Sequence, residues 1–331
     1  MKQTRVRQGL WVAVLCTLSA GAHAEWVKRV TDGIMGTRIV VELWSEDRGQ
    51  GDAAIDAVLV EMRHIDDSMS TYKPTSEVSQ VNAHAAEGPM KISKELFDLL
   101  VTAKEYSRIT DGAFDITYAS VGYLYDFRKR VRPNEAAIGK ALPAVNYLHV
   151  ILDDKNQTVR FSQKGVRIDL GGIAKGYAVD GGIAVLQAKG ITRAFVSAGG
   201  DSRIIGDRFG KPWMVGIRDP RAGPGSVITR IPLTDAAMST SGDYERFFEE
   251  DGVRFHHIID PHTGHSASKV RSATVIGPKA VRTDGLSKTA FVLGPEKAME
   301  IYNRIDDIDA IIVKLDGSVI YSKGLEQLPV K

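Results

Sequence analysis

Apolar residues recur every three or four positions in several stretches of the chain. The stretches with this spacing are residues 53–69, 93–112, 171–189 and 281–302. Such spacing places the apolar side chains on one face of an α-helix, and a serine such as Ser93 often caps a helix N-terminus. We therefore predict a helix in each stretch, with Gly294-Pro295 inside the last one.

Other stretches are rich in β-branched and apolar residues and are bounded by glycine, proline or aspartate. The predicted extended segments are residues 27–44, two hairpins formed by 149–152 with 158–161 and by 310–313 with 319–321, a further strand at 166–170, and most of 195–259. Gly33 and Gly36 break the first segment. Strands and helices in this irregular order predict an α+β fold with mixed β-sheets and packed helices.

The N-terminal apolar run, Leu10 to Ala22, follows three basic residues and precedes a small residue, Ala24. The run is too short to span a bilayer, and its flanks are those of a secretory signal peptide. We predict a signal peptide over residues 1–24 and one domain over residues 25–331, which makes the mature protein periplasmic or exported, without a stable membrane span.

The composition of the chain excludes some classes of function. The chain of 331 residues is 43% hydrophobic and 25% charged, which is typical of a globular protein. Without the three basic residues of the leader, 40 of the 43 Lys and Arg residues remain against 41 Asp and Glu residues. This balance and the lack of a basic tract argue against nucleic acid as a partner.

The only cysteine, Cys16, lies in the predicted leader. The mature chain therefore has no disulfide, no cysteine–zinc site and no cysteine nucleophile. A lipoprotein anchor on Cys16 is an alternative to the cleaved leader, but Leu15 before it is large for such a cleavage site.

A glycine-rich segment, Asp169 to Asp180, reads as a strand end, a turn and a helix start. Backbone amides in such a turn and the positive end of the helix favour an anion, so a phosphate-bearing ligand is one interpretation. A tight strand-to-helix turn with a solvated Lys175 is the other, because neither standard nucleotide-binding glycine pattern matches.

Four of the eight histidines lie between His256 and His265. Zinc binding is one interpretation, but His256 and His257 are adjacent on a predicted strand and point to opposite faces. One of the two is expected to face inward, where it could act as a general base, while residues 260–264 read as a polar turn.

Asp284 lies near the start of the last predicted helix, next to hydroxyl-bearing residues. A hard-cation site for Mg²⁺ or Ca²⁺ and a helix N-cap are the two interpretations. Phe114 and Ile116 are expected to be core residues. Ser239 and Ser241 lack the surroundings of a serine hydrolase nucleophile.

Taken in chain order, several short motifs together resemble the ApbE family of FAD:protein FMN transferases over essentially the whole mature chain. These motifs are Met35-Gly-Thr37, Ser70-x-Tyr72 with Ser76-Glu77 and Asn82, Phe114-Asp-Ile-Thr117, Asp169-Leu-Gly-Gly-Ile-Ala-Lys-Gly176, Gly199-Gly-Asp201, Ser241-Gly-x-Tyr-x-Arg246, His257-Ile-Ile-Asp-Pro-x-Thr-Gly264, and Asp284 through Phe291-Val-Leu-Gly294. The resemblance implies a two-lobed α+β architecture.

The resemblance also implies an enzyme that binds FAD and a divalent cation, most simply Mg²⁺. It places the catalytic histidine at His257 and the metal positions at the Gly172 carbonyl, Asp284 and Ser287. The positions that match flavin-nucleotide contacts are Met35, Tyr72, Ala113, Phe114, Asp115, Asp169, Lys175 and Ile258. Tyr72 is the expected stacking partner of the isoalloxazine ring.

One position departs from the family pattern. Lys288 stands four residues after Asp284, where the family commonly has a metal-binding threonine. Moving that role to Thr289 would rotate the hydroxyl by about 100° around a regular helix. We therefore expect the Lys288 ammonium to supply part of the charge neutralisation near the pyrophosphate and to weaken or replace the cation.

The implied reaction moves FMN from FAD to a Thr or Ser hydroxyl of a partner protein and releases AMP. His257 is the expected general base, and the cation and Lys175 would offset charge on the leaving group. Expected acceptors are FMN-binding domains of membrane electron-transfer subunits or respiratory regulators. The alternatives are an FAD pyrophosphatase that gives FMN and AMP, and a periplasmic FAD carrier without catalysis.

Overall fold

The structure, a computed structural model, describes residues 24–223 and 225–325. The predicted leader, including Cys16, lies outside the described residues except for Ala24. Among the described helices, none combines the length and the apolar character that a membrane crossing requires.

Helices and strands alternate irregularly, and the predicted α+β class is confirmed. The strands are β1 (Glu25–Ile34), β2 (Thr37–Ser45), β3 (Met90–Lys91), β4 (Val150–Asp153), β5 (Thr158–Phe161), β6 (Ala194–Ala198), β7 (Asp201–Ile205), β8 (Trp213–Arg218), β9 (Val227–Leu233), β10 (Ala237–Gly242), β11 (Phe247–Glu250), β12 (Val253–His256), β13 (Val270–Gly277), β14 (Asp309–Lys314) and β15 (Val319–Tyr321). The helices are α1 (Arg48–Met69), α2 (Glu77–His84), α3 (Lys94–Ile109), α4 (Ala119–Gly122), α5 (Glu135–Ala141), α6 (Ala174–Ala188), α7 (Ala280–Leu286), α8 (Thr289–Leu293) and α9 (Pro295–Tyr302).

An antiparallel sheet of eight strands forms the centre of the described fold, in the order β1-β2-β6-β7-β10-β13-β14-β15. Helices α1 and α6 pack together on one face, where Ile39, Val41 and Leu43 project from alternate positions of β2 into the largest apolar cluster. The β8–β9 hairpin covers part of the other face through Trp213 and Ile217. Burial on both faces explains why the strands are so apolar.

The helix predicted over residues 281–302 is present as three pieces, α7, α8 and α9. Ser287 and Lys288 separate the first two, and Gly294, with a φ of 93°, separates the last two. The first interruption is slight, since Ser287 and Lys288 keep right-handed helical angles. Lys288 therefore stays close to the position that follows Asp284 by one helical turn.

The strand predicted at residues 166–170 is wrong. This segment is buried at Val166, Ile168 and Leu170, but it pairs with no strand. Its backbone bonds to side chains instead: the Asn82 amide both donates to the Ile168 carbonyl and accepts from the Ile168 amide, at 2.8 and 2.7 Å. The alternating apolar pattern correctly indicates burial here. It does not indicate which groups form hydrogen bonds with the backbone amides and carbonyls of the segment.

Candidate functional site: a charged cluster at the N-terminus of a buried helix

Helices α6 and α7 cap each other at the mouth of the site. Asp284 in α7 accepts a hydrogen bond from the Gly176 amide in the first turn of α6, at 3.0 Å. Asp180 in α6 accepts from the Ala280 and Val281 amides that begin α7, at 3.1 and 2.9 Å. Asp284 thus lies inside its own helix and caps a different one, which neither sequence interpretation anticipated.

Gly176 allows this close crossing. A Cβ atom at Gly176 would lie 2.2 Å from the Ala280 carbonyl oxygen and 2.8 Å from the Cβ of Asp284. Backbone atoms of α7 cannot yield to such a contact, so any side chain at this position would force the two helices apart. The glycine in this motif therefore serves helix packing at the point where Asp284 meets α6.

Two buried carboxylates and two partly buried ammonium groups form a cluster, which we call the charge cluster: Asp201, Asp284, Lys175 and Lys288. Lys175 lies 2.6 Å from Asp201 and 3.6 Å from Asp284, while Lys288 forms an ion pair with the other oxygen of Asp284. The turn at Gly199-Gly200, between β6 and β7, delivers Asp201 to this point. The cluster is balanced in charge by its own side chains.

Burial and mutual contact shift the titration of this cluster. Burial alone would lower the pKa of Lys175, but the neighbouring Asp201 and Asp284 carboxylates raise it above its usual value. Burial works to raise the pKa of Asp284, and the Lys175 and Lys288 ammonium groups override it, so that this pKa is lowered. Asp284 is therefore ionised and both lysines adjoin its charge.

The Lys288 side chain ends among three oxygens. Its Nζ donates to the Gly172 carbonyl at 3.1 Å, to the Asp284 carbonyl at 2.8 Å, and to Oδ1 of Asp284. We call these three atoms the oxygen cradle. Gly172 and Asp284 are two of the three positions at which the family resemblance implies a metal ion.

The third implied metal position, Ser287, is engaged elsewhere. Its hydroxyl donates to the Asp284 carbonyl at 2.9 Å, so the Ser241 hydroxyl, 2.8 Å away, must donate to Ser287. Thr289 is fully buried beside Tyr302, and its hydroxyl has no hydrogen-bond partner among the described residues. Within residues 24–223 and 225–325, no three His, Cys, Asp or Glu side chains converge as a metal site would require.

His256 is the last residue of β12, and His257 follows just after the strand. His256 packs against Phe291 in the core, and burial lowers its pKa to about 4. Burial, then the neighbouring His256, Arg246, Lys175 and Lys288, lower the pKa of His257 to about 3. The inward histidine is thus His256, and the one beside the charge cluster is His257.

His257 is neutral at neutral pH, and its Nδ1 atom is buried without a hydrogen-bond partner in the described part of the chain. The other histidines of this stretch lie apart from it. His262 pairs with Asp260 in the predicted polar turn, and His265 lies 3.4 Å from Glu135. This arrangement offers His257 as a proton acceptor and gives the zinc interpretation no set of ligands.

Asp169 lies on the irregular segment before α6. Its carboxylate accepts from the Thr71 hydroxyl at 2.8 Å and from the Gly171 amide at 2.6 Å. Tyr72, next to Thr71, is 83% exposed, the largest exposed fraction among the exposed large hydrophobic side chains described. An aromatic face is therefore presented to solvent beside the glycine turn, as a stacking partner would be.

Ala113, Phe114 and Asp115 are buried below this turn. Phe114 packs edge-on against Tyr106 and, with Ile116, is confirmed as a core residue. Asp115 accepts from the Thr117 amide and hydroxyl and from the Tyr147 amide, while burial raises its pKa. Ile258 is likewise buried, directly after His257.

Met35 and Gly36 form the turn between β1 and β2, and both have positive φ angles, 53° and 64°. These angles define a two-residue hairpin turn that matches the twist of the strands. The Arg246 guanidinium approaches this turn, because a Cβ at Gly36 would lie 3.5 Å from it. The Arg246 carbonyl also accepts from the His257 amide at 3.0 Å. Arg246 was assigned no role from the sequence, although its motif was part of the resemblance.

Several solved structures share this fold. The ApbE protein of Thermotoga maritima superposes with a TM-score of 0.84 and 34% identity, over 91% of this chain and 98% of that one. The flavinyl transferase ApbE of Pseudomonas stutzeri gives a TM-score of 0.80 and 28% identity, over 92% and 97%. The fold is that of these ApbE flavin transferases.

Sequence comparison leads to the same class. The FAD:protein FMN transferase of Treponema pallidum is 30% identical over 339 residues, which cover 96% of this chain and 94% of that protein. The model of the ApbE family matches residues 35–312. This chain belongs to the ApbE family.

Proposed function

We propose that this protein transfers the FMN half of FAD to a Thr or Ser hydroxyl of an exported or membrane-bound flavoprotein subunit and releases AMP. The observation that carries the proposal is the His257 imidazole: its Nδ1 atom is buried without a hydrogen-bond partner among the described residues, and its backbone amide donates to the Arg246 carbonyl at 3.0 Å. Burial and the charges of Arg246, Lys175 and Lys288 lower its pKa, so the imidazole is neutral at neutral pH. A diphosphate placed there would meet positive charge on one side and a proton acceptor on the other.

The proposed step balances in atoms and charge. The acceptor oxygen forms a bond to the phosphorus of the FMN half, and the bond from that phosphorus to the bridging oxygen of the diphosphate breaks. AMP leaves with the bridging oxygen, and the hydroxyl proton passes to His257. Lys175, held by Asp201 and Asp284, opposes the charge that develops on the leaving group.

The low pKa of His257 describes the site before the anionic substrate has bound. Burial and three neighbouring cations disfavour the imidazolium there. When a diphosphate lies among these cations, its negative charge offsets theirs and raises the pKa of His257. Substrate binding thus makes His257 a stronger base at the moment when a proton must be accepted.

A divalent cation, Mg²⁺ in the first instance, is implied by the resemblance at Gly172, Asp284 and Ser287. Bound there, it would supply charge neutralisation on the diphosphate. The first two positions already bind the Lys288 ammonium, and the Ser287 hydroxyl bonds to Ser241 and to the Asp284 carbonyl. The steps above therefore rest on the side chains of this chain alone.

Export is part of the proposal. The N-terminal pattern of residues 1–24 is that of a cleaved leader, and it supports a periplasmic or exported enzyme that meets its acceptors outside the cytoplasm. FMN-binding domains of membrane electron-transfer subunits or respiratory regulators are the proposed partners.

A flavinylation assay tests the proposal. Purified protein is incubated with FAD and an FMN-binding domain that carries an acceptor threonine, and the acceptor is analysed by in-gel fluorescence and intact mass. A mass gain equal to FMN, lost in His257→Gly and retained in His84→Gly, is the expected result. His84 is the matched control because it is exposed on α2, outside the site.

Other outcomes would count against the transfer. Release of FMN and AMP with an unmodified acceptor would indicate a pyrophosphatase, since water would then be the nucleophile. Recovery of intact FAD with an acceptor that another flavin transferase of this family does modify would indicate a carrier. If His257→Gly transferred FMN at the full rate, His257 would not be the general base.

A further inference from the structure

Lys288 binds the oxygen cradle with all of its hydrogen-bonding capacity. A lysine ammonium has three N–H donors, and the three oxygens of the cradle accept one each. The side chain is only 17% exposed, so this arrangement is part of the packed structure and not a surface ion pair. The Lys288 ammonium therefore lies against Asp284 and the Gly172 loop.

We propose that Lys288 is a built-in cation that takes the place of a divalent metal ion, so that this enzyme transfers FMN without Mg²⁺. The inference rests on the proposed function, and it concerns how the site of that function is held together. Lys288 acts as a positioning residue: it ties the Gly172 loop before α6 to Asp284 in α7.

Charge balance favours an ammonium over an added metal ion. The two carboxylates of the charge cluster, Asp201 and Asp284, are matched by Lys175 and Lys288. A divalent ion at the cradle would meet an ammonium that already holds its three oxygens, and it would have to expel that ammonium from a buried position. The second oxygen of Asp284 is also engaged, by the Gly176 amide.

Among the described residues, no three His, Cys, Asp or Glu side chains converge to form a metal site. Mg²⁺ requires about six oxygen ligands near 2.0–2.1 Å in octahedral order. The Ser287 hydroxyl is hydrogen-bonded to the Asp284 carbonyl and to the Ser241 hydroxyl, and Thr289 lies in the core beside Tyr302.

Two readouts test the inference, and one of them is independent of catalysis. The first is binding of Mn²⁺, used as a paramagnetic probe for Mg²⁺, measured by electron paramagnetic resonance on the purified protein without flavin. The second is FMN transfer in EDTA and in Mg²⁺. The variants are Lys288→Thr, which restores a hydroxyl, and Lys288→Met, which keeps the length of the side chain without its charge or its donors.

We expect the unaltered protein to bind no Mn²⁺ at this site and to transfer FMN equally in EDTA and in Mg²⁺. Lys288→Thr should bind Mn²⁺, and Mg²⁺ should raise its transfer rate by about 10- to 100-fold over EDTA. Lys288→Met should transfer slowly in both conditions, because neither cation is then available. If Lys288 had only a structural role, its substitution by threonine would not make FMN transfer dependent on a metal ion.

The opposite results are equally clear. Mn²⁺ binding by the unaltered protein that Asp284→Asn abolishes, or loss of its transfer in EDTA with recovery in Mg²⁺, would overturn the inference even if both variants failed to fold. Absence of FMN transfer under every condition would contradict the proposed function, while the Mn²⁺ experiment would still decide what occupies the cradle.

Discussion

Asp180 and Asp284 lie on two crossing helices, and each accepts hydrogen bonds from the first turn of the other's helix. The carboxylates thereby satisfy backbone donors that would otherwise be buried without partners. Because Asp284 also binds Lys175 and Lys288, the same contacts that join the helices fix the charge cluster. Stability and site geometry are therefore coupled at this crossing.

Asp180→Ala should lower the free energy of unfolding by about 2 kcal/mol, since it removes a helix cap and the partner of Arg203. Urea denaturation measures this. Asp67→Ala, at an exposed position on α1, is the control and should change the free energy of unfolding by less than about 0.5 kcal/mol. Equal changes in the free energy of unfolding for the two substitutions would show that the hydrogen bonds between Asp180 and the start of α7 add no stability.

Gly176→Ala should be among the most damaging single-methyl additions in the chain. The new Cβ would lie 2.2 Å from a backbone oxygen of α7, and overpacking of this kind costs about 1–3 kcal/mol or more. Gly139→Ala is the matched control, because it lies in α5 with no atom within 4 Å of the added carbon. That control should be neutral or stabilising by up to about 1 kcal/mol. Urea midpoints that rank the two in the reverse order would contradict the packing argument.

Acid should destabilise the protein through His256. Burial lowers its pKa to about 4 in the folded state, while the unfolded chain titrates at the ordinary value near 6.5. Between these values the unfolded state binds more protons, so stability falls as pH decreases from about 6.5 to about 4, by about 2–3 kcal/mol in total. The stability of His256→Asn should depend less on pH over this window than that of His84→Asn. Parallel pH curves of the urea midpoint for the two variants would refute the assignment.

FMN transfer should show no inflection near pH 6.5 in kcat/KM, which reports the free enzyme. His257 has a pKa of about 3 in that state, so it is already neutral from about pH 5 upwards. In kcat, which reports the substrate complex, the inflection should move to higher pH because the diphosphate offsets the neighbouring cations. Rate profiles at limiting and saturating FAD measure both, and coincident inflections would contradict this coupling.

Tyr72→Ala should weaken FAD binding about 2- to 10-fold by loss of ring stacking, whereas Tyr72→Phe should bind normally. The ring is 83% exposed, so neither change should alter the urea midpoint. Titration of FAD fluorescence gives the affinity. Tyr123→Ala, at another exposed tyrosine, serves as the control, and an equal loss of affinity there would remove the special role of Tyr72.

Local signals in the sequence predicted local structure well. Ser93 does cap α3, since its hydroxyl accepts from the Leu96 amide at 3.1 Å. Gly36 does interrupt the first extended segment, at the turn between β1 and β2. Each of these properties depends on a few neighbouring residues and on the periods of helices and strands. The α+β class followed from the same patterns.

Contacts between residues that are distant in the sequence could not be predicted from these local patterns. The pairing of Asp180 with the start of α7, and of Asn82 with residue 168, joins residues far apart in the chain, and polarity alone does not say which backbone group a side chain will satisfy. The structure also gives Arg246 a place beside His257 that its motif had not suggested. The sequence shows that Lys288 departs from the family pattern. Its contact with the Gly172 carbonyl is seen only in the folded chain.

The oxygen cradle has a consequence for how the site is filled. A metal ion binds by mass action, so its occupancy and the stability it adds depend on its free concentration. An ammonium carried by residue 288 arrives with the polypeptide in fixed stoichiometry, and its local concentration is set by the fold. Folding itself therefore completes this part of the site, and chelators in the surroundings have nothing to withdraw from it.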